Sequence, residues 1–251
     1  MKKFDYRNSL RKIKWDIFFF LSFIIITYLI VSYSISFFSS LAPDSSSYID
    51  NREFRLSIYP LFLDLFYTDD LHYVLLIQKI FFIFSLYFLF KALIDLGINR
   101  KLIIIFYFLL VLNIFYTSFC KIVLTESFFF SLINIAIAIL LKKQKTRSFC
   151  ILLGICLGGI ISIKHEGIII SFFLTLIFLC LGQKNKIIFF LIGFILLPLI
   201  ENYYFFKTND IRGSQLDKIY FGKIFMLTGT NSFELKDFDE KIRPYLFEIQ
   251  R

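Results

Sequence analysis

The sequence predicts an all-α integral membrane protein of about seven transmembrane helices, and three observations predict it. The first is length without charge: no Asp, Glu, Lys, Arg or His occurs from Ile17 to Pro43, nor from Leu102 to Cys120. Either run can cross a hydrocarbon core of roughly 30 Å as a helix. The second is composition, with 58% hydrophobic residues, 36 Phe and a mean hydropathy of +0.73, far more apolar than an ordinary soluble domain. The third is punctuation, because Lys/Arg clusters or short acidic and aromatic loops end each apolar stretch. The weak ten-residue alternation of an outer-membrane barrel is missing, and backbone amides in lipid must be satisfied within their own segment, so helices are expected.

The elements follow in order. The first span, Ile17 to Ser39, comes after a basic N-terminus but is too long for a cleaved signal peptide and lacks a small-residue cleavage pattern, so it reads as a retained helix. Leu56 to Tyr67 is too short to span and carries Pro60 and Asp64. It is expected in the membrane interface, as a helix or re-entrant piece in the first outer loop. Further spans are expected at Leu71 to Leu93, Leu102 to Phe119, Ile122 to Leu141, Ser148 to Ile163, Gly167 to Leu181 and Lys186 to Phe205. The fifth and sixth are short enough to reach only part of the way or to sit within the bundle. Residues 1–206 thus form one transmembrane domain. Residues 207–251 turn polar, with Gly213, Gly222 and Gly229 as breakers, and are expected to form an outer-face tail or to lead into further spans.

Orientation follows from the Lys/Arg bias of short loops. One set of loops holds Lys2, Lys3, Arg7, Arg11, Lys12 and Lys14, then Lys91, Arg100 and Lys101, then Lys142, Lys143, Lys145 and Arg147, then Lys184 and Lys186. The alternate loops hold only Arg52, Arg55, Lys121 and Lys164. The N-terminus is therefore expected in the cytoplasm, and the stretch from Pro43 to Asp70, the turns near Lys121 and His165, and the tail on the outer side. The same inner loops account for the net charge of +9, so no nucleic-acid partner is implied; anionic membrane lipids are partner enough. Cys120, Cys150, Cys156 and Cys180 show no CxxC spacing, which argues against a disulfide framework or a zinc site. His72 and His165 lack a histidine three or four residues away, so no histidine-based metal site is expected either.

The residues that could carry chemistry crowd the outer ends. Asp44, followed by three Ser, reads equally as an N-cap or as a general base at the membrane surface, with Arg52 or Arg55 nearby for a phosphate. Arg52, Arg55, Lys121, Lys164 and His165 are the short-loop cations of that side, and snorkelling is the plain alternative for each. Glu126 lies about one turn into the fourth span, a depth at which an acid is a functional candidate by default. Pairing with Lys121 or Lys164 is its structural alternative. Lys79, beside Gln78, lies well inside a span, and a tie to Glu126 is weighed there against a substrate role.

The order of these residues resembles a known group. Pro43-Asp44 with Tyr48 four residues on, then Arg52 and Arg55, Tyr59-Pro60-Leu61-Phe62-Leu63, Leu76-Ile77-Gln78, Leu124-Thr125-Glu126-Ser127 and Lys164-His165-Glu166-Gly167 are similar to the GT-C type membrane glycosyltransferases. Within these the sequence resembles the family 39 group, the bacterial relatives of the protein O-mannosyltransferases and of the lipid A aminoarabinose transferase. The resemblance covers about residues 10 to 205. It implies a GT-C-like bundle in a bacterial cytoplasmic membrane and an active site on the outer face. It also implies a polyprenyl-phosphate-linked sugar as donor and a lipid, glycan or protein as acceptor. The catalytic carboxylate of the first outer loop maps onto Asp44, and Tyr48, Asp50, Arg52, Arg55, Tyr59, Lys121, Glu126, Lys164, His165 and Glu166 fall in the substrate-binding set. Many members carry Asp-Glu where this chain has Asp44-Ser45, and Asp50 is the nearest substitute for that second carboxylate. No cofactor is required by the residues, and the family pattern leaves room for a divalent metal.

The competing expectation is a transporter or lipid-linked glycan flippase without transferase activity. It predicts charged residues spread through the bundle midplane and helices broken near their centres.

Overall fold

The computed structural model describes residues 6–33, 41–42, 45–49, 56, 58–66, 71–142, 146–181 and 184–209. Every regular element among them is helical. In chain order they are α1 (Tyr6–Tyr33), α2 (Ser45–Ile49), α3 (Ile58–Phe66), α4 (His72–Asp95), α5 (Arg100–Val111), α6 (Ile114–Ser118), α7 (Glu126–Leu141), α8 (Arg147–Ile163), α9 (Gly167–Cys180) and α10 (Ile187–Asn209). Single 3-10 turns, Phe119–Lys121 and Lys184–Lys186, follow α6 and precede α10. The polar tail expected over residues 207–251 lies outside the described residues beyond Asn209.

Two helices, α4 and the stretch Ile187–Tyr204 of α10, are long and apolar enough to cross a membrane, and a third is counted if α5 and α6 with its 3-10 turn form one bent span. The apolar stretch Phe19–Tyr33 and helices α7, α8 and α9 are shorter. Large apolar side chains stand exposed along α1, α5, α9 and α10, among them Ile25, Leu109, Ile169 and Leu199. In water such faces would form an apolar patch far beyond that of a soluble monomer.

The helix ends follow local chemistry. Gly97 adopts a left-handed φ of 81° and closes α4, with Gly97 N–H donating to Ile94 O and Ile98 N–H to Leu93 O at 2.9 and 3.3 Å. This pairing satisfies carbonyls that the helix end leaves orphaned. Asn99 then caps α5, its Oδ1 accepting from Lys101 N at 2.9 Å, and Thr146 caps α8 by accepting from Phe149 N at 3.3 Å.

Two expected spans are corrected. Leu102 to Phe119 is not one straight helix, since the chain bends by 61° between α5 and α6. Asn113 is the cause: its Oδ1 accepts from Tyr116 N at 3.2 Å, an N-cap that starts a new helix inside an uncharged run. The span expected from Ile122 instead becomes helical only at Glu126, because Ile122 takes an extended conformation (φ −124°, ψ 143°).

Packing is set by small residues. Along α8 and α10, which run parallel, a Cβ at Gly154 would overlap the Phe190 carbonyl, one at Gly158 the Phe194 carbonyl, and one at Gly193 the Ile151 carbonyl. Pro198 cannot donate to the carbonyl four residues before it, Phe194 O, and that carbonyl sits over Gly158. The backbones thus approach as closely as glycine permits, which is how membrane helices gain packing energy without a hydrophobic drive. Phe129, Leu153, Leu157, Ile160, Phe178 and Phe190 fill the core of α7 to α10. A second core joins Phe23 and Val31 of α1 to Phe82, Leu86, Phe90, Ile103 and Val111. The third core is smaller and positions the site: Tyr48, Tyr59, Leu63 and Val74 close over Ile122, Val123 and Leu124.

Candidate functional site

The site is built around backbone that is not helical. Ile122 to Thr125 is buried and extended into a turn, so its peptide groups need partners from elsewhere in the protein. Gln78 supplies one, its Nε2 donating to Ile122 O at 3.0 Å, and Ser45 Oγ donates to Val123 O at 2.8 Å. Leu124 N closes a tight turn on Ile122 O at 2.9 Å. Gln78 is itself oriented by Tyr59, whose hydroxyl donates to Gln78 Oε1 at 2.6 Å. Burial, followed by the neighbouring Tyr48 and Glu126, pushes the Tyr59 phenol well above its ordinary pKa. It therefore stays protonated and remains a donor.

Pro60 follows Tyr59 in the first turn of α3, where a missing N–H costs no helix bond. The helix turns Tyr59, Pro60 and Leu63 inward. Tyr48, on α2, meets the Tyr59 ring edge-on at 5.3 Å and places its hydroxyl 3.5 Å from Thr125 Oγ1. Thr125 donates to Glu126 Oε2 at 3.2 Å, and Lys164, in the turn between α8 and α9, donates to Glu126 Oε1 at 2.7 Å. The Lys164 ammonium also lies 5.7 Å from the centre of the Phe129 ring. The turn that presents Lys164 needs Gly167, where a Cβ would overlap Ile160 O.

Of the predicted site residues, the structure thus brings Tyr48, Tyr59, Glu126 and Lys164 into one cluster. His165 and Glu166 occupy the same turn as Lys164, with Glu166 exposed at the head of α9 and its side chain not capping it. Asp44, Asp50, Arg52 and Arg55 lie outside the described residues. Two assignments are corrected. Glu126 is not a turn deep in a helix but opens α7, where its carboxylate also faces the favourable end of the helix dipole. Lys79 does not tie to Glu126: its Nζ donates to Ser32 Oγ at 3.3 Å and lies 5.3 Å from the centre of the Tyr28 ring. Lys121, the other partner weighed for Glu126, instead donates to Ser32 O at 2.9 Å.

Some polar groups are not among the site residues expected from the sequence. Gln78 and Thr125 organise the cluster. Asp64, exposed on α3, accepts from the Tyr204 hydroxyl and so ties α3 to α10. Asn134 of α7 donates to Ser85 Oγ at 3.1 Å and pairs with the Tyr116 hydroxyl, and Glu201 of α10 is buried. A polar side chain inside an apolar helix is the signal that marks Gln78, Asp64, Asn134 and Glu201.

The Glu126 carboxylate, neutralised by Lys164, is suited to orienting hydroxyl groups rather than to acting as a strong base. No group of three His, Cys, Asp or Glu that could hold a metal ion occurs among the described residues. No family model matches the sequence, and neither a curated protein nor a solved structure matches it.

Proposed function

We propose that the chain is a polytopic GT-C type glycosyltransferase, with about seven membrane-crossing segments and an active site at the outer face. Donor and acceptor are those expected above, a sugar carried on a polyprenyl phosphate and a lipid, glycan or protein hydroxyl. One observation carries this reading: the stretches with the sequence resemblance, separated by up to 116 residues between Tyr48 and Lys164, supply side chains to a single cluster. In the reaction Asp44 accepts the proton of the acceptor hydroxyl, whose oxygen attacks the anomeric carbon of the sugar. The bond from that carbon to the phosphate oxygen breaks, and its electron pair leaves on the polyprenyl phosphate. Arg52 and Arg55 stabilise that leaving charge. Tyr48, Glu126 and Lys164 hold the hydroxyl-rich substrate, and Asp50, Lys121, His165 and Glu166 complete the substrate-binding set of this reading.

The test is transfer in liposomes from a panel of radiolabelled polyprenyl-phosphate sugars, read as release of carrier phosphate. Turnover of at least one donor, lost in Asp44→Asn, is the expected result. Equal turnover by the variant removes Asp44 from the mechanism, and no turnover of any donor removes the reaction.

The 61° bend between α5 and α6 favours a second reading, transport or flipping of a lipid-linked glycan, because broken helices line many transport sites. Movement of intact donor across the bilayer without release of its sugar would select it.

A further inference from the structure

Among the described residues, helix α5 has neighbours on one side. Ile103 and Val111 turn into the core shared with α1 and α4, while Leu102, Ile105, Leu109 and Leu112 are each more than half exposed. Their spacing is three, four and three residues, the repeat that lets two helices interlock side chains along a narrow seam. An apolar row facing lipid needs no partner of its own, but Asn113, which ends the row, does. Its Oδ1 accepts from Tyr116 N at 3.2 Å and its carbonyl from Thr117 Oγ1 at 3.1 Å. The two Nδ2 hydrogens meet no acceptor among the described residues. The side chain is exposed and stands thirteen residues, about 20 Å along the helix, from Arg100, within a bent pair of helices that together can cross a membrane. Hydrocarbon chains at that depth accept no hydrogen bond, and lipid carbonyls and phosphates lie nearer the interface. An unmet amide there is costly.

We propose that this face of α5 is the contact surface between two copies of the chain, related by a two-fold axis normal to the membrane, with Asn113 of each copy donating to Oδ1 of the other. A second copy inserted in the same direction brings its Asn113 to the same depth, which an unrelated partner does not do automatically. The carboxamide is also complementary to itself, because Oδ1 keeps a second lone pair after accepting from Tyr116, and a two-fold contact requires such self-complementarity. Asparagine side chains hydrogen-bond between membrane helices in this way. A shallow cavity of about 520 Å³, lined by Ile104, Ile105, Phe108, Leu109, Leu112 and Asn113, lies on the same face and has room for the leucine row of the second copy. Crossing near Asn113 at an angle of about 20° carries the like-charged Arg100 and Lys101, at the far end of α5, away from their counterparts. The proposal goes beyond the transferase reading and does not depend on it.

The test uses the full chain in liposomes, carrying a fluorescent donor or acceptor at its N-terminus, with energy transfer followed as the lipid-to-protein ratio rises. Transfer should fall on dilution as a monomer–dimer equilibrium. Asn113→Asp keeps the helix-starting acceptor but loses the donors, and Leu109→Ala trims an exposed side chain of the seam. Each should weaken the dimer about tenfold, while Leu199→Ala, similarly exposed on α10, leaves it unchanged. In a chain freed of its own four cysteines, Leu112→Cys should oxidise to a covalent dimer and Phe172→Cys, exposed on α9, should not. Monomer at every ratio overturns the proposal and leaves α5 to lipid. A dimer unchanged by both Asn113→Asp and Leu109→Ala, or cross-linked as readily through Phe172→Cys, overturns this surface. If Asn113→Asp fails to insert, Leu109→Ala and the cross-link decide.

Discussion

Lys164 and Glu126 stand 38 positions apart in the chain, yet the ammonium lies 2.7 Å from the carboxylate, joining the turn after α8 to the first residue of α7. Both side chains are about three-quarters buried, at 27% and 21% exposure. The pair is therefore screened less than a surface ion pair, and each partner suffers when the other is removed.

Removing either partner is expected to destabilise the protein by roughly 1–3 kcal/mol, and the double variant Glu126→Gln with Lys164→Met by less than the sum of the two. Unfolding in mixed detergent, run as a double-mutant cycle, measures the coupling. A coupling near zero would assign the contact to chance.

Gln78→Leu keeps the apolar character of α4 but strands the buried Tyr59 hydroxyl and takes one of two donors from the Ile122 carbonyl, which keeps Leu124 N–H. The expected loss is about 2 kcal/mol or more. Tyr59→Phe together with Gln78→Leu should recover part of it, because the orphaned hydroxyl is then gone. Equal stability of the two variants would show that Tyr59 finds another acceptor.

Gly158→Leu should be far more damaging than its apolar chemistry suggests. A side chain there meets the Phe194 carbonyl and the Pro198 ring rather than lipid, so a cost of about 3 kcal/mol or failure to fold is expected. Gly97→Leu, where a Cβ has open space but φ is 81°, should cost only the local strain of about 1–2 kcal/mol. Thermal unfolding of the two variants separates steric from conformational demands; the reverse order would refute the close α8–α10 contact.

Orientation is checked by thiol labelling in a background lacking Cys120, Cys150, Cys156 and Cys180. An impermeant reagent added from outside should modify a thiol placed at Ser46 and spare one placed at Lys143. Labelling at Lys143 alone inverts the topology drawn from the positive loops.

The helices legible in the sequence were those whose signal is simple. Apolar length places α4 and α10, and the Lys/Arg clusters bracket α8 and α9 within a few residues. The break at Asn113 was hidden because one uncharged polar residue hardly changes an average hydropathy, although its side chain is a strong helix starter. Ile122 to Thr125 reads as helix in the sequence because Ile, Val and Leu are equally apolar in either conformation. Only the acid at Glu126, at home in a first turn, hints at where α7 begins. At the site, the Lys164 pairing with Glu126 was one of two alternatives that spacing could not separate. The tie weighed between Lys79 and Glu126 fails for a geometric reason: adjacent helix residues differ by about 100° in direction. Gln78 thus faces Tyr59 and the extended segment, while Lys79 faces α1.

The non-helical stretch from Ile122 to Thr125 also carries a timetable. The side chains that satisfy its carbonyls, Ser45 and Gln78, and the Tyr59 that aims Gln78, all precede it in the chain. As synthesis proceeds from the N-terminus, the stretch emerges when its receptors have already been made, so its polar backbone need not wait unpaired in the lipid. Lys164 is the exception, made last and closing on a Glu126 that until then has only Thr125. A nascent chain stalled after α7 should therefore hold the Gln78 contact but not the ion pair, which makes the Glu126–Lys164 contact the natural seal of the assembled bundle.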